Sequence, residues 1–379
     1  MNQLFENGLL YAITALICSI LLSYAFTPVV RVLAFKVGAI DIPKDNRRMH
    51  KKPIPRIGGL AIFLGFFITC LFFCDINLEL ITILGGALCI VILGILDDIK
   101  NLNALLKLFF QLAFAAIPVV IGGIRIEYIH VNNNYLHLGI FSIPVTLIWI
   151  AALMNAINLI DGLDGLSCGV STISSISILA VILIQGGSPV SALITLILIG
   201  SCAGFLPFNR NPARIFMGDT GSLFLGYTLS LISVSGMFKM HTIISMLVPL
   251  IIFALPLADT MFAIIRRLLA GKSPFAPDRG HLHHRFIDMG FNQKETVKIL
   301  YAICGILGLV AVFMCDKMFP THTYVRSIVI TAIAIAIFFI YIAIFKDPKN
   351  RSNTGLVDET AVAEKEAEKA AEEQEQSDK

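Results

Sequence analysis

Long runs of apolar residues, separated by short polar breaks, dominate this chain of 379 residues. Hydrophobic residues make up 56% of the sequence and charged residues only 15%. A run of about 20 apolar residues is long enough to cross a lipid bilayer as a helix. This composition is not that of a soluble multidomain protein, and it predicts a membrane protein.

About eleven runs have this length, which predicts an all-α, polytopic membrane helix bundle. Non-spanning structure is expected only near Leu136 and between Ala270 and Thr296. The first run has no basic segment before it and is longer than the core of a signal peptide, which favours a retained span. The runs lie at 8–33, 57–74, 78–96, 104–123, 140–158, 166–185, 189–206, 220–237, 242–264, 297–315 and 325–345.

Basic residues indicate the orientation, because Lys and Arg near the ends of spans are retained on the cytoplasmic side. With the N-terminus outside, every Lys and Arg falls on an inner segment except Arg125, Lys239, Lys317 and Arg326. We therefore predict a multi-pass protein of the cytoplasmic membrane, with its C-terminus in the cytoplasm. The lipid bilayer is one partner, and the net charge of +3 gives no reason to expect nucleic acid.

The end of the chain differs from the rest. Residues 1–350 are predicted to form one membrane domain. From Asp358 to Lys379, nine acids stand against three lysines, and few apolar residues are available for packing. Residues 351–379 are therefore predicted to be an acidic, disordered cytoplasmic tail. The eight cysteines lie in or beside apolar runs without a CxxC pair, which favours buried thiols over disulfides or zinc ligands.

Two adjacent acids, Asp97 and Asp98, end the third run on the predicted inner face. Neighbouring carboxylates at a membrane edge need a cation, a shared proton or water, because they repel each other and are costly to desolvate. Lys107 follows about two helical turns later, where its charge could meet a phosphate. The alternative is that the acids are only a solvated end of the helix.

A series of amide and acid side chains ends the fifth run. Asn155, Asn158 and Asp161 recur every three residues, as do Asp161 and Asp164, so these groups would line one face of a helix. The two glycines of this segment permit close approach of a ligand or a break in the helix. Capping of helix ends would explain only one or two of the four polar groups.

A lone acid, Asp219, stands just before the eighth run and follows Arg210 and Arg214. The free amides at the start of a helix favour anions, so this position suits a phosphate site. Helix capping by Asp219 or Thr220 is the structural alternative, and both interpretations can hold together.

Three histidines, His281, His283 and His284, lie between Arg279 and Arg285 in the longest inner loop. Such a cluster suggests a metal, but no cysteine accompanies it, and Mg²⁺ prefers oxygen ligands. We interpret these side chains as donors to phosphate or a nucleotide in preference to zinc ligands.

Two further features carry charge. The first inner loop is a basic collar that would anchor anionic lipid headgroups, and within it His50 and Arg56 are candidates for substrate contact. Asp259 lies inside the ninth apolar run, where an acid is either functional or a structural link to a neighbouring helix.

Carboxylates on several converging loops, together with Lys, Arg and His, suit a Mg²⁺-diphosphate better than hydride, acyl or radical chemistry. When one anionic phosphate attacks another, metal and basic side chains are both needed to neutralise charge. A membrane transporter is the alternative of a different class, but its charges should recur near the middle of the bilayer rather than at loop edges.

Four segments jointly resemble the polyprenyl-phosphate N-acetylhexosamine-1-phosphate transferases: Asp97-Asp98, 158–165, 217–222 and the His-Leu-His-His segment at 281–284. The resemblance covers roughly residues 8–345 in order and spacing. Pro277-Asp278-Arg279 before the histidines resembles the branch that uses UDP-N-acetylglucosamine. The branch that transfers phospho-N-acetylmuramoyl-pentapeptide has a differently built histidine loop and is the alternative.

The resemblance implies transfer of N-acetylglucosamine-1-phosphate from UDP-N-acetylglucosamine to undecaprenyl phosphate, with release of UMP. It implies Mg²⁺ as cofactor, with Mn²⁺ as a substitute, and an active site on the cytoplasmic face. A homodimer is left open. Which envelope glycan receives the sugar does not follow from the resemblance.

The resemblance also implies roles for individual residues. Asp219, with Asp98, would ligate the metal, and Asp97 or Asp98 would deprotonate or position the lipid phosphate. The remaining roles are neutralisation of that phosphate by Lys107, contact with nucleotide, metal or sugar by Asn158, Asp161 and Asp164, and binding of the sugar diphosphate by Arg279, His281, His283 and His284.

Overall fold

A computed structural model describes residues 2–42, 53–131, 134–236, 243–273 and 280–315. Within these ranges the regular secondary structure is helical apart from two short hairpins, β1–β2 (Ile40–Asp41, Ile54–Pro55) and β3–β4 (Tyr128–Val131, Asn134–His137). A π-helical turn, Ile117–Ile121, continues α4, and a 3-10 turn, Gly139–Phe141, precedes α5. The helices are α1 Asn2–Val37, α2 Gly59–Phe73, α3 Leu78–Lys100, α4 Ala104–Ala116, α5 Ser142–Ile160, α6 Leu166–Gln185, α7 Pro189–Asn209, α8 Gly218–Gly236, α9 Ile243–Ile252, α10 Ala254–Leu269, α11 Leu282–Asp288 and α12 Gln293–Phe313.

The helices coincide with the predicted apolar runs. Every run except 325–345 falls on the helices described above, and 325–345 lies outside the described residues, as does the acidic tail. Seven helical segments are long and apolar enough to cross a membrane: α1, α3, α4 with its π-helical turn, α5 with its 3-10 turn, α6, α7 and α12. Helix α1 exposes Leu9, Leu21 and Val29, as expected of a surface that faces lipid.

Helix α8 lies at the centre and packs against α2, α3, α5, α6 and α7. All of its residues from Thr220 to Gly236 are buried, including Ser230 and Ser233. Because other helices surround it instead of lipid, small and hydroxyl side chains suit it better than bulky apolar ones. This helix therefore overlaps the predicted run 220–237 but is not among the seven apolar segments.

Glycines allow α2 and α8 to approach closely. A Cβ atom added to Gly59 would lie 2.0 Å from the Cα atom of Gly221. The Gly59 amide also donates to the Met217 carbonyl at 2.9 Å, so the start of α2 and the segment before α8 are joined. This contact sets the position of the first turn of α8.

We expect Gly59→Ala to destabilise the protein by about 1–3 kcal/mol, because the added methyl group meets backbone atoms that cannot turn away. Thermal unfolding in detergent measures this change. Gly85→Ala in α3 is the matched control, since a Cβ atom there meets nothing within 4 Å. A Gly59→Ala protein as stable as the Gly85→Ala protein would contradict the close packing.

The ninth predicted run is not one helix. Helix α9 ends at Ile252 and α10 begins at Ala254, with Phe253 between them. Pro256 has no N–H to donate to the Ile252 carbonyl, which removes one bond of a continuous helix. The interruption turns α10 independently of α9 and leaves Asp259 buried in α10.

Non-spanning structure occurs in the two places where it was expected. The β3–β4 hairpin contains Leu136, and the short helix α11 lies between α10 and α12. The eight cysteines all lie within the described residues and form no disulfide there, and six of them are buried. For these six, the structure agrees with the prediction of buried thiols.

Candidate active site

Asp219 stands in the first turn of the central helix α8, where side chains from two other helices reach it. Its Oδ2 atom forms an ion pair with Lys107 Nζ from α4. Its Oδ1 atom accepts from Asn158 Nδ2 of α5 at 2.9 Å. Gly218 before it has φ +69°, a left-handed conformation that favours glycine. Groups distant in sequence therefore meet at the start of α8.

Lys107 joins two carboxylates. Its Nζ atom lies 2.7 Å from Asp97 Oδ2 and also contacts Asp219. The other oxygen of Asp97 accepts from the Leu102 amide at 2.7 Å and closes the turn after α3. The Lys107 side chain is only 13% exposed, so its charge is held at the site by the two acids.

Asp98 has a different environment from its neighbour. Its Oδ1 atom accepts from Arg56 Nε and from the Asp219 amide, both at 3.0 Å. Its Oδ2 atom accepts from the Thr220 amide at 3.0 Å and the Thr220 hydroxyl at 2.7 Å. The Asp98 side chain is fully buried. Four donors thus occupy the carboxylate, which anchors the positive end of α8.

Asn158 and Gln111 extend the polar contacts into the bundle. The Asn158 Nδ2 atom also donates to Ser222 Oγ at 2.8 Å, one turn beyond Asp219 on α8. One turn earlier in α5, Asn155 Nδ2 donates to Gln111 Oε1 at 2.8 Å. These amide contacts fix the rotation of α5 relative to α4 and α8.

Protein contacts hold Asp164 in the loop after α5. The Asn211 side chain donates to its Oδ2 atom at 2.9 Å, and the Ala213 amide donates to the same oxygen at 3.0 Å. The Tyr301 hydroxyl of α12 donates to the Gly165 carbonyl at 2.6 Å. The loop is therefore fastened to the segment after α7 and to α12.

Asp161 differs from Asp164 because no hydrogen bond or ion pair to its carboxylate occurs among the described residues. Burial raises the pKa of its carboxyl well above the usual value, and the charges of Asp219 and Asp98 raise it further. A divalent cation between Asp161 and Asp219 would relieve this repulsion. The electrostatics of the site therefore suit a divalent cation such as Mg²⁺, which these two carboxylates could hold.

The described residues contain no group of three or more His, Cys, Asp or Glu side chains with the geometry to hold a metal by themselves. Mg²⁺ commonly takes only one or two carboxylates and completes its shell with water and phosphate oxygens. The site agrees with that pattern. A zinc site on the three histidines gains no support from the structure.

The segment from His281 to His284, here called the histidine loop, packs against the loop after α5. The rings of His281 and His283 are parallel, with centroids 5.9 Å apart, and His284 lies 4.3 Å from His283. A Cβ atom added to Gly162 would lie 2.2 Å from His283 Nε2, so glycine leaves the room that this ring occupies. The histidines thus stand beside the loop that carries Asp161 and Asp164.

Comparisons with known proteins agree with this arrangement. A model of glycosyl transferase family 4 matches residues 80–237, which include the acids of α3, the loop after α5 and Asp219. The chain is also 39% identical over 316 residues to the probable undecaprenyl-phosphate N-acetylglucosaminyl 1-phosphate transferase of Bacillus subtilis. That match covers 82% of this chain and 87% of the relative. The chain belongs to glycosyl transferase family 4.

Other relatives of this family 4 protein have related names. The decaprenyl-phosphate N-acetylglucosaminephosphotransferase of Mycolicibacterium smegmatis is 31% identical over 320 residues, 76% of this chain and 78% of the relative. The undecaprenyl-phosphate alpha-N-acetylglucosaminyl 1-phosphate transferase of Salmonella typhimurium is 31% identical over 315 residues, 80% of this chain and 84% of the relative. The resemblance inferred from the sequence motifs is confirmed.

The candidate site brings together most of the residues singled out from the sequence. Arg56 reaches Asp98, whereas His50 and Arg279 lie outside the described residues. Ser222 was missed, although its place one turn after Asp219 was a signal. Nothing in the sequence indicated Tyr301 or Gln293. The Oε1 atom of Gln293 accepts a hydrogen bond from Asn211 Nδ2 at 2.6 Å.

His283 should make the stability of the family 4 protein depend on pH. Burial, and to a lesser degree the neighbouring His284, lowers the pKa of His283 to about 3. An unfolded histidine has a pKa of about 6.5, so the unfolded chain binds an extra proton between these values. Stability is therefore complete above about pH 6.5 and falls toward pH 3, by up to about 1.4 kcal/mol per pH unit.

Thermal unfolding between about pH 7 and about pH 4 measures this dependence. His283→Gln should reduce the slope, because the glutamine side chain does not titrate. His137→Gln is the control, since His137 is exposed. Equal slopes in all three proteins would contradict the assignment.

Proposed function

We propose that this enzyme transfers N-acetylglucosamine-1-phosphate from UDP-N-acetylglucosamine to undecaprenyl phosphate, releasing UMP and starting a lipid-linked envelope glycan. The observation that carries the proposal is the meeting of Lys107, Asn158 and Asp219, from three helices, at the start of α8. The named activities of the relatives supply the substrate classes. A cationic amine, an amide and a helix start together form a site for phosphate.

In the proposed reaction, an oxygen of the lipid phosphate attacks the β-phosphorus of the UDP-sugar. A bond forms between the lipid phosphate oxygen and the β-phosphorus. The bond between the β-phosphorus and the bridging oxygen breaks, and UMP leaves with the bridging oxygen. The second pKa of a phosphate monoester is about 6, so the lipid phosphate is already largely a dianion at neutral pH. The step therefore requires neutralisation of charge more than removal of a proton.

We assign Mg²⁺ to Asp219 and Asp161. Bound there, the ion would neutralise the diphosphate and the departing UMP. This differs from the pairing of Asp219 with Asp98 expected from the motifs, because each oxygen of Asp98 already accepts from two protein donors. The Asp98 side chain is also fully buried, whereas that of Asp219 is 23% exposed. Asp98 is proposed to position α8.

Lys107 is proposed to bind the lipid phosphate, with Asp97 holding its amine in place. The contact between Lys107 Nζ and Asp97 Oδ2 supports this assignment. Asp164 is proposed to hold the loop that contacts the nucleotide, because Asn211 and the Ala213 amide already occupy its Oδ2 atom. The histidine loop and Arg279 would bind the sugar diphosphate.

We also propose eleven spans, with the N-terminus outside and the active site on the cytoplasmic face. The seven apolar segments, together with α2, α8, the α9–α10 pair and the run 325–345, account for this number. The positions of Lys and Arg support the orientation. Residues 351–379 would form a cytoplasmic tail.

Purified protein mixed with UDP-N-acetylglucosamine, undecaprenyl phosphate and Mg²⁺ tests the function. We expect UMP release that stops when EDTA removes the metal and returns when Mg²⁺ or Mn²⁺ is added. UDP-N-acetylmuramoyl-pentapeptide, offered as a competitor, should be a poor donor. Binding of the nucleotide without UMP release would instead favour a carrier.

A further inference from the structure

A buried acid of α10 holds the first residues of the histidine loop. Asp259 is only 3% exposed. Its Oδ2 atom lies 2.9 Å from His281 Nδ1, and its Oδ1 atom accepts from the Leu282 amide at 2.9 Å. One carboxylate therefore fixes both the ring of His281 and the start of α11.

The contact determines which nitrogen of His281 carries hydrogen. An ionised carboxylate only accepts hydrogen bonds, so the Nδ1 atom of His281 must donate. The Nε2 atom is then the nitrogen left for another partner. Carboxylates that orient a functional histidine through its second nitrogen act in this way at many sites.

A continuous set of contacts leads from Asp259 to the loop after α5. His281 is 5% exposed and stacks in parallel on His283, which is 2% exposed. The ring of His283 in turn occupies the space above Gly162. A change in the orientation of His281 would therefore reach the loop that carries Asp161.

We propose that Asp259 is a positioning residue of the transferase: it fixes His281 with hydrogen on Nδ1, presents Nε2 to the sugar diphosphate and keeps the histidine loop against Gly162. This proposal rests on the proposed function. Asp259 itself touches no reacting atom. Its interpretation as a mere link between helices predicts a loss of stability but no specific effect on UDP-sugar use.

Asp259→Asn distinguishes the two interpretations. The asparagine oxygen can still accept from the Leu282 amide, but its NH₂ group then faces His281 and forces the hydrogen onto Nε2. We expect kcat/KM for UDP-N-acetylglucosamine to fall by about 10- to 100-fold. The KM for undecaprenyl phosphate and the unfolding temperature should change little.

Matched variants sharpen this test. Asp288→Asn makes the same chemical change at an exposed acid of α11 and should leave turnover unaltered. Asp259→Glu should restore part of the lost activity. His281→Asn retains a donor toward Asp259 but lacks the Nε2 atom, so it should lose activity as well. Adding Asp259→Asn to it should then cost little more.

The ¹⁵N spectrum of histidine-labelled protein reads the tautomer directly. We expect hydrogen on Nδ1 of His281 in the unaltered protein and on Nε2 in Asp259→Asn. Normal turnover of Asp259→Asn, or a loss that only follows its unfolding temperature, would overturn the inference alone. Absence of UMP release from the unaltered protein with any UDP-sugar would overturn the proposed function, and the role of Asp259 in it.

Discussion

Asp219→Asn should abolish UMP release while leaving the fold intact. The substitution removes a negative charge that we assign to Mg²⁺, and loss of one such electrostatic contact at a reacting phosphate costs roughly 100- to 1000-fold in rate. The asparagine oxygen can still accept from Asn158, and Lys107 keeps its ion pair with Asp97. The unfolding temperature should therefore change little.

The measurement compares UMP release and thermal unfolding of the same purified protein. Asp75→Asn is the control, because Asp75 is an exposed acid between α2 and α3, at the end of those helices away from the site. It should retain full turnover. A variant at Asp219 that keeps more than about a tenth of the turnover would exclude Asp219 as a metal ligand.

Asp98→Asn should differ from Asp219→Asn in its effect on stability. We expect it to lose both activity and a large part of the free energy of unfolding. The carboxylate of Asp98 accepts from Arg56, the Asp219 amide and both donors of Thr220. An asparagine turns its NH₂ group toward some of these buried donors and leaves them unpaired. Breaking such a buried charged contact costs about 3–5 kcal/mol.

Thermal unfolding of Asp98→Asn beside Asp219→Asn makes this comparison with one and the same chemical change. Asp98→Asn should unfold at a clearly lower temperature. If Asp98 were instead a metal ligand, as the motifs imply, its substitution would spare stability as Asp219→Asn does. Equal unfolding temperatures would therefore return Asp98 to the metal site.

Much of the fold could be predicted because the cost of placing polar groups in lipid is local to each segment. The apolar runs identified in the sequence therefore have nearly the same positions as the helices of the structure. Two features depend on packing against neighbouring helices and could not be predicted from one segment alone. Helix α8 is central and tolerates Ser230 and Ser233, and the ninth run divides at Phe253 into α9 and α10.

The candidate site was predicted in its composition more fully than in its contacts. Asp219 and Asn158 were found because acid and amide side chains at the ends of apolar runs are unusual. Tyr301 and Gln293 gave no such signal, since a tyrosine or glutamine in a helix has many ordinary explanations. Their contacts with Gly165 and Asn211 depend on how α12 packs against the loop after α5.

The sequence alone determined the class of protein, the apolar helical segments and the group of polar side chains, because hydrophobicity and residue chemistry belong to each residue. Only the tertiary structure shows that Asp97 and Asp98 have different partners. Successive residues on a helix point about 100° apart, so the rotation of α3 against its neighbours directs Asp97 to Lys107 and Asp98 to the start of α8. That rotation is set by packing between distant segments, such as the contact of Gly94 with Thr220, and the motif itself does not contain it.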